Sequence, residues 1–327
     1  MRSALKCPSS KAASADAAPH KDESLSMAAP VFLLAPPRSY TSLMNAMLGQ
    51  HPQAFGLPEL CLFNVERLME MWVRTSDEMG NDAKTRHGLL RAVAEIYSGE
   101  QSMDSVKMAT HWCAARQGHT TAEVYQELVA KIHPLVAVEK SPAYTIDIKR
   151  LRRIKSAFPD ARYLHLTRHP VGQCKSVMSL YEGTFALFVN SIEFLEDRAI
   201  IEPQFAWHDF NINILDFLDG IPADRQIRVR GEDMMSDPPK YLGMICRWLG
   251  LRDDAEAIDQ MMHPEHSPFA CFGPLDAMFG NDPNFLAGPT FRPHKVKMPS
   301  LDKPVPWRED GKGLRPEVIA LAHELGY

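Results

Sequence analysis

The chain has 327 residues, 45% of them hydrophobic and 24% charged, with a net charge of -5 at pH 7. That length can bury a full core, and the acidic surplus gives no global positive field for nucleic acid or an anionic membrane. No run approaches the roughly 18 consecutive apolar residues of a membrane span, although a local basic site remains compatible with this balance.

Residues 1–29 are rich in Ala, Ser and Lys without periodicity and read as a disordered tail ahead of a single domain over residues 30–327. The tail lacks the apolar centre of a signal peptide, and Asp16, Asp22 and Glu23 argue against a transit peptide, so a cytoplasmic location is expected. The six cysteines (Cys7, Cys61, Cys113, Cys174, Cys246 and Cys271) are scattered without a CxxC pair. They read as reduced thiols, and no metal site is expected.

Val31 to Ala35 is an apolar run that reads as a buried strand; it ends in Pro36-Pro37-Arg38-Ser39 and enters a helix pattern from Thr41. Such a junction aims backbone N–H groups and the positive end of a helix at one point. Arg38, Ser39, Thr41 and Ser42 crowd that point with a cation and three hydroxyls, an anion cradle suited to a nucleotide phosphate. Residues 58–73 (PELCLFNVERLMEMWV) place Leu60, Phe63, Leu68, Met71 and Trp72 at the spacing of an amphipathic helix. Helical patterns follow around Leu89–Tyr97 and Ala122–Ile132.

Leu135–Val138 reads as a second strand with Glu139, Lys140 and Ser141 at its carboxyl edge, followed by a basic helix over Asp147–Phe158. Arg162–Thr167 reads as a third strand; after Arg168 and His169, Pro170 opens a helix to about Tyr181. Residues 192–218 carry further helical pattern, Gln226–Arg230 a fourth strand and Pro238–Leu249 another helix. Residues 263–307 hold nine prolines and little periodicity, together with Phe269, Phe272, Phe279, Phe285 and Phe291, and read as an ordered irregular lid. Leu314–Leu325 closes the chain as a helix.

Strands alternating with helices predict an α/β fold, a parallel sheet flanked by helices with right-handed crossovers, and ligands at the carboxyl ends of the strands. The clusters Arg38–Ser42, Glu139–Ser141 and Arg168–His169 are expected to converge there. The first loop has no glycine and no Lys-Ser/Thr pair, unlike an NTPase P-loop, and the third strand ends in Arg168 where a kinase would want an acidic magnesium ligand. Two separated cationic subsites suit a nucleotide phosphorylated at both ends of its ribose, such as 3′-phosphoadenosine 5′-phosphosulfate (PAPS).

On these residues the chain resembles the PAPS-dependent sulfotransferase family from about Val31 to Tyr327. PPRSYTSLM looks like the family's 5′-phosphosulfate loop, which implies donor contacts from Pro37, Arg38, Ser39, Tyr40, Thr41 and Ser42. YLHLTRHPVGQCKSVMS looks like its 3′-phosphate motif, with the binding pair at Arg168 and Ser176; VEKSPAYT and IRVRGEDMMSDP resemble two further strand ends. Two positions depart from the pattern: Tyr40 stands where the loop usually has Gly, and Gly231 where the last motif usually has Tyr. Tyr40 would be strained if its backbone needs a positive φ, or would stack on the substrate or on neighbouring residues.

The resemblance implies a P-loop-NTPase-like sheet and transfer of a sulfuryl group from PAPS to an acceptor hydroxyl, without a metal, leaving 3′-phosphoadenosine 5′-phosphate (PAP). Arg38 and Lys140 would neutralise developing charge, and Glu59, 21 positions after Arg38, would act as base. Pro58-Glu59 is equally how a helix begins. His208 is a rival base or a packed neighbour of Trp207. His294, with Arg292, Lys295 and Lys297, would face the 3′-phosphate or an acidic substrate, or form a solvated basic face.

PELCLF, the Trp207 helix and FGNDPNF look most like the sulfotransferases that act on carrier-tethered β-hydroxyacyl chains in polyketide and olefin biosynthesis. EKSPAYT also resembles glycan sulfotransferases, and Glu59 matches the tyrosylprotein branch in spacing. Glycan or phenol acceptors, a P-loop-like kinase and a non-catalytic nucleotide-binding protein stand as alternatives. No nucleic-acid or membrane partner is expected, and oligomeric state stays open.

Overall fold

The apolar runs become strands of one sheet because each is buried on both faces. The computed structural model describes residues 28–73, 84–180, 186–187 and 189–327; the expected tail lies outside them apart from its last two residues. The strands are β1 (Val31–Leu34), β2 (Ala54–Gly56), β3 (Val136–Glu139), β4 (Arg162–Thr167), the hairpin pair β5 (Ile192–Phe194) and β6 (Ala199–Ile201), and β7 (Gln226–Arg230). The main sheet has the order β2-β3-β1-β4-β7 and is parallel throughout, as the alternation of elements predicts. Along β1, Phe32 and Leu34 enter a core with Phe63, Tyr125 and Tyr163, while Val31 and Leu33 enter another with Met44, Leu164 and Ile245. Fully burying each such side chain contributes roughly 1.5–3 kcal/mol, which fixes β1 at the centre.

The helix expected over residues 58–73 does not form as one element. A 3-10 turn covers Leu62–Asn64, a single helical turn covers Glu70–Val73, and Glu59 lies in irregular chain between β2 and the turn. The amides of Leu60 and Cys61 are captured by the Glu139 carboxylate (3.3 Å) and the Ser141 hydroxyl (3.0 Å), and Cys61 has a left-handed φ of 54°. Those bonds tie the segment to the end of β3 and occupy donors that a helix would need.

Residues 192–218 likewise divide. The first part forms the β5–β6 hairpin, tied by Glu193 and Glu202 to the buried Arg308, and the helix begins only at Pro203, running to Asp219. The helix Met103–Ala114, with its Ser102–Ser105 capping box, and the three-residue β2 complete elements that periodicity did not indicate. Cys61, Cys113, Cys174 and Cys246 are buried free thiols, as expected, whereas Cys271 is disulfide-bonded.

Residues 263–307 are folded against the body rather than built from long elements, with turns at Pro264–His266 and Leu275–Ala277 and a short helix Pro283–Ala287. Arg91, fully buried on the helix Lys84–Ser98, pins this segment by donating to the carbonyls of Phe279 (3.1 Å) and Pro268 (3.4 Å). Burial pushes its guanidinium down to about 10.

Glycines let three backbones meet beneath Glu59. A Cβ at Gly88 would overlap the Glu59 carbonyl, and Gly280 (φ 107°) approaches Gly88 so closely that its own Cβ would lie 2.7 Å from Gly88 Cα. The Glu59 amide donates to the Gly280 carbonyl at 2.7 Å. Gly88→Ala should therefore destabilise the fold by about 1–3 kcal/mol in denaturant unfolding, despite the gain in helix propensity. A neutral or stabilising effect would show that this approach is loose.

Candidate active site

The carboxyl ends of β1, β3 and β4 carry the cluster. After β1 the chain makes a tight loop in which Arg38 (φ 68°) and Tyr40 (φ 62°, ψ 16°) are both left-handed, a backbone state that L residues with side chains rarely adopt. Tyr40 thus stands in the positive-φ position anticipated for a glycine. The helix Thr41–Gly49 follows at once, with Thr41 and Ser42 buried in its first turn. The loop is held from behind by Gln173, whose amide donates to the Pro37 carbonyl at 2.7 Å.

Lys140, the residue after β3, has a fully buried side chain. Its ammonium donates to Ser42 Oγ at 2.8 Å and forms an ion pair with Glu59, whose side chain remains 31% exposed. Sequence reasoning proposed Lys140 and Glu59 separately; the fold makes them partners. Glu139, one residue earlier, is also fully buried, and burial raises its carboxyl to about 7. Ser141 (2.6 Å) and Tyr144 (3.2 Å) donate to its Oε1, while Oε2 has no hydrogen-bond partner.

Arg38 is 12% exposed and pairs with Asp282 at the start of the Pro283–Ala287 helix; its Nε donates to Ser176 Oγ at 3.1 Å. Ser176 therefore contacts Arg38 directly. Burial and the neighbouring Arg168 both lower the Arg38 pKa. The Asp282 amide also donates to Ser42 Oγ (3.1 Å), so Ser42 links Lys140 to the 263–307 segment. Asp282 had no sequence signal beyond FGNDPNF, because its partner lies 244 positions away.

Arg168 follows β4. One guanidinium nitrogen donates to the Arg38 carbonyl, and the group lies over the Tyr40 ring, 4.2 Å from its centroid. Trp207 Nε1 donates to the Arg168 carbonyl at 2.9 Å. Behind this strand end, Glu232 accepts from the His169 amide and from the hydroxyl of Tyr327, both at 3.0 Å, and burial lowers His169 to about 4. The three strand ends thus converge on one site, and Arg38 and Arg168 are neighbours.

The two rival histidines lie apart from these bonds. His208 Nδ1 donates to its neighbour Asp209 at 3.0 Å, and His294 Nδ1 to the Arg292 carbonyl at 3.0 Å. His294 lines a cavity of about 570 Å³ with Leu43, Met235, Phe285, Phe291 and Arg292. Among the described residues, His263, Glu265 and His266 group closely.

The central strand of the parallel sheet thus ends in a basic loop, backed by a buried lysine and by an arginine just after the next strand, an arrangement of the α/β class. The profile of the sulfotransferase family matches residues 30–255, and the chain belongs to that family. It is a transferase of the sulfotransferase type, with the P-loop-like fold of that class. The sulfotransferase domain from the Synechococcus PCC 7002 olefin synthase is 26% identical, with a TM-score of 0.68, over 94% of this chain and 98% of that one. The sulfotransferase domain from the curacin biosynthetic pathway has the same fold at 22% identity, with a TM-score of 0.67, over 92% of this chain and 98% of that one. No curated protein matches the chain. No helix among the described residues is long and apolar enough to cross a membrane.

The Glu139 carboxyl gives the site a pH signature. Its pKa is raised from 4.5 to about 7 in the fold, so the folded chain binds the proton more tightly and this contribution to stability is complete below about pH 4.5. It is lost as pH rises through about 7. Thermal unfolding from pH 5 to 8 should show Glu139→Gln flattening the decline across this window; an unchanged slope would place the titration elsewhere.

Proposed function

We propose that this sulfotransferase takes its sulfuryl group from PAPS and delivers it to a hydroxyl on an acyl chain or a similarly apolar small molecule, with Glu59 as general base. The observation that carries this reading is the chain Glu59–Lys140–Ser42, which joins an accessible carboxylate to a buried ammonium and to the basic loop.

The residues present fit a doubly phosphorylated nucleotide. Ser39 Oγ and Arg168 Nε are buried in the cluster without a hydrogen-bond partner, and such groups are normally satisfied. The neighbouring guanidiniums of Arg38 and Arg168 would each be relieved by one of the nucleotide's phosphates. The left-handed residues of the loop and the helix start at Thr41 suit an anion, because such turns and helix starts offer free backbone N–H groups. PAPS, when bound, supplies an activated sulfuryl group attached to a phosphate that can leave.

In this reading Arg38, Ser39, Thr41 and Ser42 grip the 5′ end and Arg168 the 3′ end, with Ser176 orienting Arg38. Lys140 neutralises charge growing on the leaving oxygen. Glu59 accepts the proton of the acceptor hydroxyl at a carboxylate oxygen, and its ion pair with Lys140 orients that carboxylate. Asp282 occupies Arg38 as an internal anion and must yield when a phosphate arrives. The aromatic 263–307 segment, with Phe269 buried and Phe272 exposed, would act as the lid and favours an apolar acceptor over a sugar chain. The 26% identity to an olefin synthase domain supports an acyl acceptor further.

Incubation with labelled PAPS and hydroxyacyl, phenolic and sugar acceptors tests the reaction; sulfation of the hydroxyacyl member is expected, and titration should show PAP binding in preference to ATP. Glu59→Gln should lower kcat by about 100-fold or more, as for loss of a general base, with PAP affinity nearly unchanged. Unchanged turnover would remove Glu59 from the mechanism. Asp282→Asn should tighten PAP binding by about three- to tenfold by freeing Arg38; weaker binding would mean that Asp282 supports the donor site.

A further inference from the structure

We infer that Tyr40 is a positioning residue for Arg168, and that position 231 is glycine because the Tyr40 ring fills the space a side chain there would need. The role for Arg168 rests on the donor site proposed above, while the steric pairing stands on geometry alone.

Gly231 opens the helix Gly231–Ser236 after β7 and does not have a positive φ. Its backbone therefore has no need of glycine, which is a poor helix former. Space explains it instead. A Cβ at 231 would lie 2.5 Å from Tyr40 Cδ2, 3.1 Å from Tyr40 Cε2 and 3.2 Å from the Thr167 carbonyl. Two of these three atoms belong to one ring, and that ring hangs from a left-handed residue with little freedom to retreat.

Arg168 covers the Tyr40 ring, 4.2 Å from its centroid. Among the described residues no carboxylate pairs with Arg168, and its Nε is buried without a partner. Its anchors are a π face, which attracts the cation without neutralising it, and the Arg38 carbonyl. A carboxylate in that place would compete with an incoming phosphate; an aromatic ring does not. The ring sets the plane of the guanidinium, and the backbone of Gly231 sets the ring.

A double-mutant cycle tests both links, read by PAP affinity in calorimetry and by Tm. Gly231→Ala should weaken PAP binding by about tenfold or more in the native background and by less than about threefold in the Tyr40→Gly background, with the same non-additivity in Tm. Tyr40→Leu removes the π face and should weaken PAP binding by about tenfold with a small change in Tm, whereas Tyr40→Phe should retain affinity. Equal effects of Gly231→Ala in both backgrounds would overturn the pairing. Native affinity in Tyr40→Leu would overturn the positioning role. If the unmodified chain bound no PAP, the proposed donor and the role of Arg168 would fall together, and the Tm cycle would still decide the pairing.

Discussion

Positive charge buried at the ends of parallel strands is the constraint from which the rest of this structure follows. Removing an ammonium or guanidinium from water costs several kcal/mol unless a counter-charge and hydrogen bonds replace it. Lys140 is fully buried, and Glu59 and Ser42 answer it; Arg38 is nearly so, and Asp282 and Ser176 answer it. Each partner imposes its own requirement. The segment that brings Glu59 to Lys140 is not helical, and the amides of Leu60 and Cys61 are taken by Glu139 and Ser141. Asp282 can reach Arg38 only if residues 263–307 fold back over the sheet, and Arg91 holds them there.

The sheet was legible because its signal is local. Runs such as RYLHLT become strands over the expected residues, and polar clusters after them mark one edge. The cationic junction at Arg38 was legible for the same reason, since a strand, a turn and a helix start are contiguous. The segment 58–73 misled because its apolar spacing reports which side chains are buried but not what its amides bond; that depends on Glu139, 79 positions from Leu60. The hairpin at residues 192–201 depends in the same way on Arg308, more than a hundred positions on.

The expected site residues come together at the strand ends, but most of the contacts among them had no signal in the sequence. Arg38, Lys140 and Arg168 stood out in the sequence by their places after strands, and Glu59 by its spacing from Arg38. The Asp282–Arg38 pair, the Ser176–Arg38 bond and the fit of Tyr40 against Gly231 join segments far apart in the chain, and no local pattern announces them. Tyr40 and Gly231 read in sequence as two unrelated departures. In space they are adjacent, with an aromatic ring where the second position has no side chain.

The left-handed backbone at Arg38 and Tyr40 has an energetic meaning beyond its shape. Each such residue without the freedom of glycine stores about 1–3 kcal/mol, supplied by the packing around it. Folding has therefore already met the expense of bending this loop, and association with an anion need not do so again. Such preorganisation trades global stability for affinity, because less ordering remains to oppose binding. If the loop holds a phosphate as proposed, a more relaxed loop would make a sturdier protein and a weaker trap.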